Sequence, residues 1–239
     1  MTVVTSADEV SQDLAPMGRL RAAINLGNPV LAQGTPAAPA GVTVDIAREL
    51  GARLAVPVDL ACFGAARESF EAMARGDADI CFLAIEPARA AQVAFTAPYV
   101  VIEGVYVVPA ASGLTTPADV DRPGVRIGVN EGSAYDLFLS RTLRQAQLVR
   151  GADGISLFRE QGLAAAAGIR QVVAEFTVRT TGFAMIDEGF MQIRQALGTT
   201  LGRAPATVRF LADFVEDLRV SGFIGDALRR SGQDSDLVA

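Results

Sequence analysis

The chain has no histidine and no tryptophan, and only two cysteines among its 239 residues. Without histidine it lacks the commonest metal ligand and the usual proton shuttle near neutral pH, so zinc chemistry, a Ser-His-Asp triad and a Cys-His pair are excluded together. No metal site, cofactor or catalytic residue is assigned. Cys62 and Cys81 have no CxxC spacing and sit in apolar surroundings near strand ends, which reads as two buried free thiols. A basic surface is also missing: 27 acids against 21 bases give a formal charge of -6, which argues against nucleic acid as a partner. The first residues, MTVVTSADEVSQDLAPMGRL, lack the basic start and apolar core of a secretory signal. No uncharged apolar run reaches the ~18–20 residues of a membrane helix, so membrane insertion is not expected.

What is present is apolar matter in an α/β rhythm. Half of the residues are hydrophobic, enough for one large domain or two small lobes. The most informative stretch is GDADICFLAIEPARAAQVAFTAPY, Gly76 to Tyr99. Its continuous apolar run from Ile80 to Ile85 reads as a strand covered on both faces, and Pro87 suits the first position of a short helix or turn carrying Arg89. Ligands of open α/β sheets bind beyond the carboxyl ends of such strands.

Ahead of it, after a polar leader, Leu20–Ile24 reads as a strand and Asn25–Ala40 as a Gly- and Pro-containing loop. An amphipathic helix over Val44–Leu54, a strand over Val56–Leu60 and a helix stopped by Gly76 follow, giving βαβαβ. Val100–Pro109 reads as a long strand bent at Glu103-Gly104 that can cross between lobes. A second α/β unit then starts, with a helical turn at Pro117–Val120, strands at Val125–Val129 and Gln147–Arg150, a helix over Ser133–Arg144, and a buried strand in the alanine-rich Leu163–Ile169, whose bracketing glycines are too close for a stable helix. Two helices between Ala206 and Arg230 close the chain.

In this order and spacing, LRAAINLGNP (Leu20–Pro29), GVTVDIARELGARL (Gly41–Leu54), PAR followed by FTAPY (Pro87–Tyr99) and GVRIGVNEGSAYD (Gly124–Asp136) resemble the solute-binding proteins of family 3, the amino-acid-binding type. The resemblance implies the α/β type II periplasmic binding protein fold: two lobes, each a mostly parallel sheet flanked by helices, joined by a two-strand hinge and closing on a small ligand. On that plan one lobe is 1–104 plus 196–239 and the other 105–195. The strands bearing Cys62 and Cys81 would be separated by the first strand, too far apart for a disulfide. Arg89 falls on the arginine that holds the ligand carboxylate, and Gly132 with Ser133 on a helix start that donates to the same group. The alternatives stay open: Arg89 as a surface arginine paired with Glu86, and Ser133 as an ordinary N-cap.

Several positions depart from the family pattern. The approach from Asp79 to Arg89 is two residues shorter, with Phe82, Leu83, Ala84 and Ile85 in place of small hydroxyl residues. Asn28 replaces a stacking aromatic, beside Asn25. Where the family carries an acid for the ligand ammonium, this chain has Arg170, which could give a second carboxylate a hydrogen bond of roughly 1.5–3 kcal/mol. The expected ligand is therefore a small anion, an organic acid or dicarboxylate ahead of a standard α-amino acid. In the competing reading Arg170 pairs with Glu131 or Asp187, and the ammonium is met by Glu103 or Glu131. For Tyr135 and Asp136 the bland reading is helix packing, and for Arg194 and Gln195 a solvated hinge face. The expected function is non-enzymatic binding by hinge closure, serving an ABC transporter permease, as a monomer or dimer. The family is usually periplasmic, and a cytoplasmic place follows if this N-terminus is native. The alternative is an enzyme on the same fold, a dehydratase of a small cyclic acid, with Glu103 or Glu131 as its base.

Overall fold

A computed structural model describes residues 7–239; the expected polar leader and the reading of no export signal fall in part on residues 1–6, outside the described residues. The elements in chain order are α1 (Ala7–Leu14), β1 (Leu20–Asn25), β2 (Gln33–Thr35), β3 (Ala38–Ala40), α2 (Val42–Arg53), β4 (Val58–Phe63), α3 (Ala66–Arg75), β5 (Ile80–Ala84), α4 (Pro87–Ala90) and β6 (Val93–Pro109). There follow α5 (Pro117–Val120), β7 (Arg126–Asn130), α6 (Ala134–Thr142), β8 (Gln147–Gly151), α7 (Gly154–Glu160), β9 (Ala165–Ile169), α8 (Arg170–Arg179), β10 (Phe183–Met185), β11 (Met191–Thr200), α9 (Pro205–Val220) and α10 (Phe223–Arg230). The chain divides into two compact units: the first runs to Val101 and resumes from Arg194 to Ala239, and the second is Ile102–Ile193.

In the first unit β4, β1 and β5 run parallel in that order, with Ala22 opposite Leu60 and Ala23 opposite Cys81, and β11 pairs antiparallel with β5. All five residues of β5 are buried, as its unbroken apolar sequence requires. Beneath it Met73 and Phe70 of α3 pack with Ala23, Cys81, Leu83 and Val93. α3 ends at Gly76, whose left-handed backbone (φ 77°) is open to glycine at little cost, and Pro87 is at the start of α4. Cys62 and Cys81 are free, on strands separated by β1; Cys81 is buried as expected, whereas Cys62 is only partly buried.

In the second unit β9, β7 and β8 are parallel, while β6 lies antiparallel to β9 and β10 to β6. The alanine-rich segment is the strand expected, and its small residues let helices approach. A Cβ on Gly128 would lie 2.3 Å from the Gly154 carbonyl oxygen, so α7 packs on β7 almost backbone to backbone. Phe158 of α7 and Val173 of α8 fill the core over β6 and β9.

Six elements depart from the sequence expectation. The stretch Asn25–Ala40 is not all loop but carries the short β2–β3 hairpin, α1 forms within the polar leader, and α7, α8 and β10 were not expected. All but the ten-residue α8 have eight residues or fewer, too short for hydrophobic period alone to reveal them, and in α8 only Val173 is buried.

Candidate functional site

In the first unit the groups of interest lie at the carboxyl ends of the parallel strands. Arg89, one turn into α4, folds back so that its Nη1 donates to the Ala84 carbonyl at the end of β5 (3.2 Å). It is 2% exposed and so not a surface arginine, and Glu86 beside it is buried as well, which leaves the pairing half of that alternative standing. Burial pulls the guanidinium pKa down to about 10, and the neighbouring Glu86 carboxylate opposes that shift. Asn25 ends β1, the neighbour of β5, and its Oδ1 accepts the Gly27 N–H (3.0 Å). Asn28 is buried in the same loop, where its Oδ1 accepts the Val30 N–H (3.2 Å).

The opposite end of β5 carries a different cluster, which the sequence showed only as two acids ahead of an apolar run. Asp79, 1% exposed, accepts from the backbone N, Nε and Nη2 of Arg21 and from Nη2 of Arg203. Thr199 Oγ1 donates to its carbonyl. This is a structural clamp between β1, β5 and β11, remote from Arg89 along the strand. Gln195, read as part of a solvated hinge face, is instead buried opposite Ala84 in the sheet, while Arg194 beside it is exposed.

In the second unit, the turn from β7 into α6 holds Asn130, Glu131, Gly132 and Ser133. Ser133 is the N-cap, its Oγ accepting the Asp136 N–H (3.1 Å). The Gly132 N–H donates to Asp136 Oδ2 (2.8 Å), and Arg150 Nε donates to Oδ1 of the same carboxylate (3.0 Å). The helix start thus receives an anion from its own chain. Asp136, passed over as helix packing, is a buried hub. Glu131 is exposed on this turn.

Arg170 is the first residue of α8. Its Nε donates to Glu103 Oε2 (2.6 Å) and its Nη2 to the Asp187 backbone carbonyl. The partner is therefore Glu103, not Glu131 or the Asp187 carboxylate, and the argument for a dianionic ligand loses its basis: the charge of Arg170 is met inside its own unit. Glu103 is 46% exposed in that pair. Just beyond it, Phe190 stacks on Tyr106 at 4.4 Å and covers Gly104, whose added Cβ would lie 2.9 Å from the Phe190 ring.

The structure thus places Arg89, Asn25 and Asn28 at one end of the first unit. It gathers Gly132, Ser133 and Glu131 on one turn of the second, and Glu103 and Arg170 as a pair there. Among the described residues no cluster of three or more acids, cysteines or histidines could hold a metal, and no helix is long and apolar enough to cross a membrane.

The fold recurs in solved structures. The P235GK mutant of the protein ArgBP from T. maritima superposes with a TM-score of 0.77 at 16% identity, covering 93% of this chain and 99% of that one. The amino acid ABC transporter substrate-binding protein AbpA from Streptococcus pneumoniae, bound to L-arginine, gives 0.75 at 16%, covering 91% and 96%. The ancestral amino acid-binding protein AncCDT-1, described as a precursor of cyclohexadienyl dehydratase, gives 0.75 at 16%, covering 92% and 97%. The architecture is the type II periplasmic binding protein fold. No curated protein matches the sequence. The model of the family "Bacterial extracellular solute-binding proteins, family 3" matches residues 20–230, almost the whole described chain, and the protein belongs to that family.

Proposed function

We propose that the chain binds a free α-amino acid as the substrate-binding component of an ABC-transporter-type system, with the two units as its lobes and with Arg89 as the anchor for the ligand carboxylate. The observation that carries this reading is the burial of Arg89 at the carboxyl end of β5. Holding a guanidinium away from water is unfavourable, and the fixed fork it offers suits a carboxylate taken up by two parallel hydrogen bonds. The pairing of Arg170 with Glu103 supports an amino acid over a dicarboxylate, because it leaves no uncompensated cation to be met by a second carboxylate. Structural neighbours that bind amino acids point the same way. The dehydratase alternative gains nothing from the geometry: Glu103 is half exposed and bonded to arginine, and Glu131 is exposed, whereas such chemistry needs a carboxylate drawn out of water.

Titration calorimetry against the common amino acids and against succinate and 2-oxoglutarate tests the proposal. The expected result is binding of at least one amino acid by the wild type, with a loss of 100-fold or more in Arg89→Ala and a smaller loss in Arg89→Lys. Unchanged affinity in Arg89→Ala, or binding of the dicarboxylates alone, overturns it.

A further inference from the structure

The sheet of the first unit ends at β4, and the alternation of hydrogen bonds along that strand shows which of its backbone groups are left over. The N–H groups of Leu20 and Leu26 donate to the Pro57 and Phe63 carbonyls (both 2.9 Å), so in the parallel ladder with β1 the odd-numbered residues of β4 point inward. Val58, Leu60 and Cys62 therefore direct their N–H and C=O groups away from β1. On either side of these three the edge is closed: the Val56 N–H donates to the Gly51 carbonyl (3.0 Å), and the Gly64 N–H to Glu68 Oε2 (3.0 Å). Among the described residues nothing pairs with the outward groups between them, and β1 is the only strand beside β4.

An open edge normally carries some device against further pairing, such as charge, proline or a bulge. The edge strand of the second unit, β8, has exposed Gln147 and Arg150. By contrast β4, VDLACF, has no proline, an unbroken register with β1, and one charge, Asp59, which is paired with Arg19 of the same unit. Both of its faces are covered. Val58 lies so close to α2 that a Cβ on Gly51 would come within 2.2 Å of it, and Phe63 packs on the cluster that holds Met73 of α3. Only the edge is open, and a further strand is what an edge takes up.

We infer that β4 pairs with the β4 of a second copy of this chain, in an antiparallel two-fold ladder centred on Leu60. In that register Val58 faces the partner's Cys62 and Leu60 the partner's Leu60, and each facing pair exchanges both of its backbone bonds, so every outward group of the three residues is satisfied. Asp59 faces the partner's Ala61, so the two like charges are not opposed, and each is already met by its own Arg19. Moving the register by two residues leaves one of the three unpaired in each copy. A second copy is favoured over a foreign segment by this charge balance: the edge has no net charge with which to select a charged peptide, and its own sequence meets it apolar to apolar. A ladder of six residues covers less than the ~800 Å² per partner of a standard interface, so the association is weak and appears at high protein concentration.

Sedimentation equilibrium of the wild type and cysteine cross-linking test the pairing and its register. In a Cys62→Ser background, Leu60→Cys places the two Cα atoms ~5.5 Å apart across the dyad, within the span of a disulfide, whereas Val58→Cys leaves them roughly 14 Å apart along the strands. The wild type is expected to form a dimer whose fraction grows with concentration, and mild oxidation to cross-link Leu60→Cys at least tenfold faster than Val58→Cys. Leu60→Pro removes an outward N–H and leaves the ladder to β1 intact, so this variant, shown to be folded by circular dichroism, should sediment as a monomer where the wild type dimerises. A wild type that stays monomeric up to millimolar concentration overturns the self-pairing and leaves the edge to a foreign strand. Equal cross-linking at both positions, or a folded Leu60→Pro that dimerises like the wild type, overturns the β4 register. None of these outcomes bears on the ligand, so the amino-acid reading stands or falls separately.

Discussion

A guanidinium as deeply buried as that of Arg89 titrates within reach of experiment. Its pKa, lowered to about 10 from 12.5 by burial, means that between these values the unfolded chain holds more protons than the folded one, so this group's contribution to stability rises with pH across that window. Its hold on a carboxylate moves the other way: the attraction is full below about 10 and is lost as pH climbs through that value. Calorimetry from pH 8 upward is expected to show affinity falling through about 10, and a flat profile would count against Arg89 as the anchor. At Asp79 the expectation concerns stability. Asp79→Ala removes the acceptor shared by Arg21 and Arg203 and strands both cations, costing about 3–5 kcal/mol in urea denaturation. The thiols make a third case. Burial pushes Cys81 up to about 12, and Cys62, partly buried, is raised less, so a disulfide reagent at pH 8 should label Cys62 slowly and Cys81 only after denaturation. Fast labelling of both would contradict the packing of β5. The residue types at these positions were readable in the chain, but their partners were not. Arg21, Asp79 and Arg203 are brought together by strand order, and nothing in their spacing announces the triad.

At the scale of the element, legibility followed length and period. The strand β5 and the helices α2, α3, α9 and α10 have either an unbroken apolar run or a clear amphipathic face, and each has a stop or start residue at its end. The helix α7 has seven residues, capped by Asp153, and its reason for existing lies outside itself: Gly154 against the backbone of β7. A Cβ at Gly154 would come within 2.6–2.7 Å of the Gly128 and Val129 backbone, which cannot yield as a side chain can. Gly154→Ala is therefore expected to cost about 1–3 kcal/mol, whereas Gly202→Ala, where a Cβ meets open space, should stay within about 0.5 kcal/mol of wild type. Comparable losses at both positions would show that the close approach is not what sets the cost. The turn from β7 into α6 shows the same limit. Ser133 was legible as a cap, but the carboxylate that fills the helix start, Asp136, sits three residues on and becomes a hub only when β8 brings Arg150 beside it.

For the whole molecule, a ligand that binds only the folded protein adds stability by mass action, about 2.7 kcal/mol at a hundredfold excess over its dissociation constant. A thermal-shift screen of the amino acids should therefore single out the ligand as the one that raises Tm in a concentration-dependent way, and the shift should vanish in Arg89→Ala. The sequence by itself determined the α/β class, the parallel strands and the family, because hydrophobic period, caps and the ordered motifs are local and survive being read in one dimension. It also determined that no site in this chain can use a histidine, since an absent residue is absent in any fold. Only the tertiary structure decided how charge is distributed: that Arg170 is paired with Glu103, and that Asp136 occupies its own helix start. Each of these depends on which backbone or side-chain group lies opposite, and that is set by strand register and loop closure, which no single segment encodes.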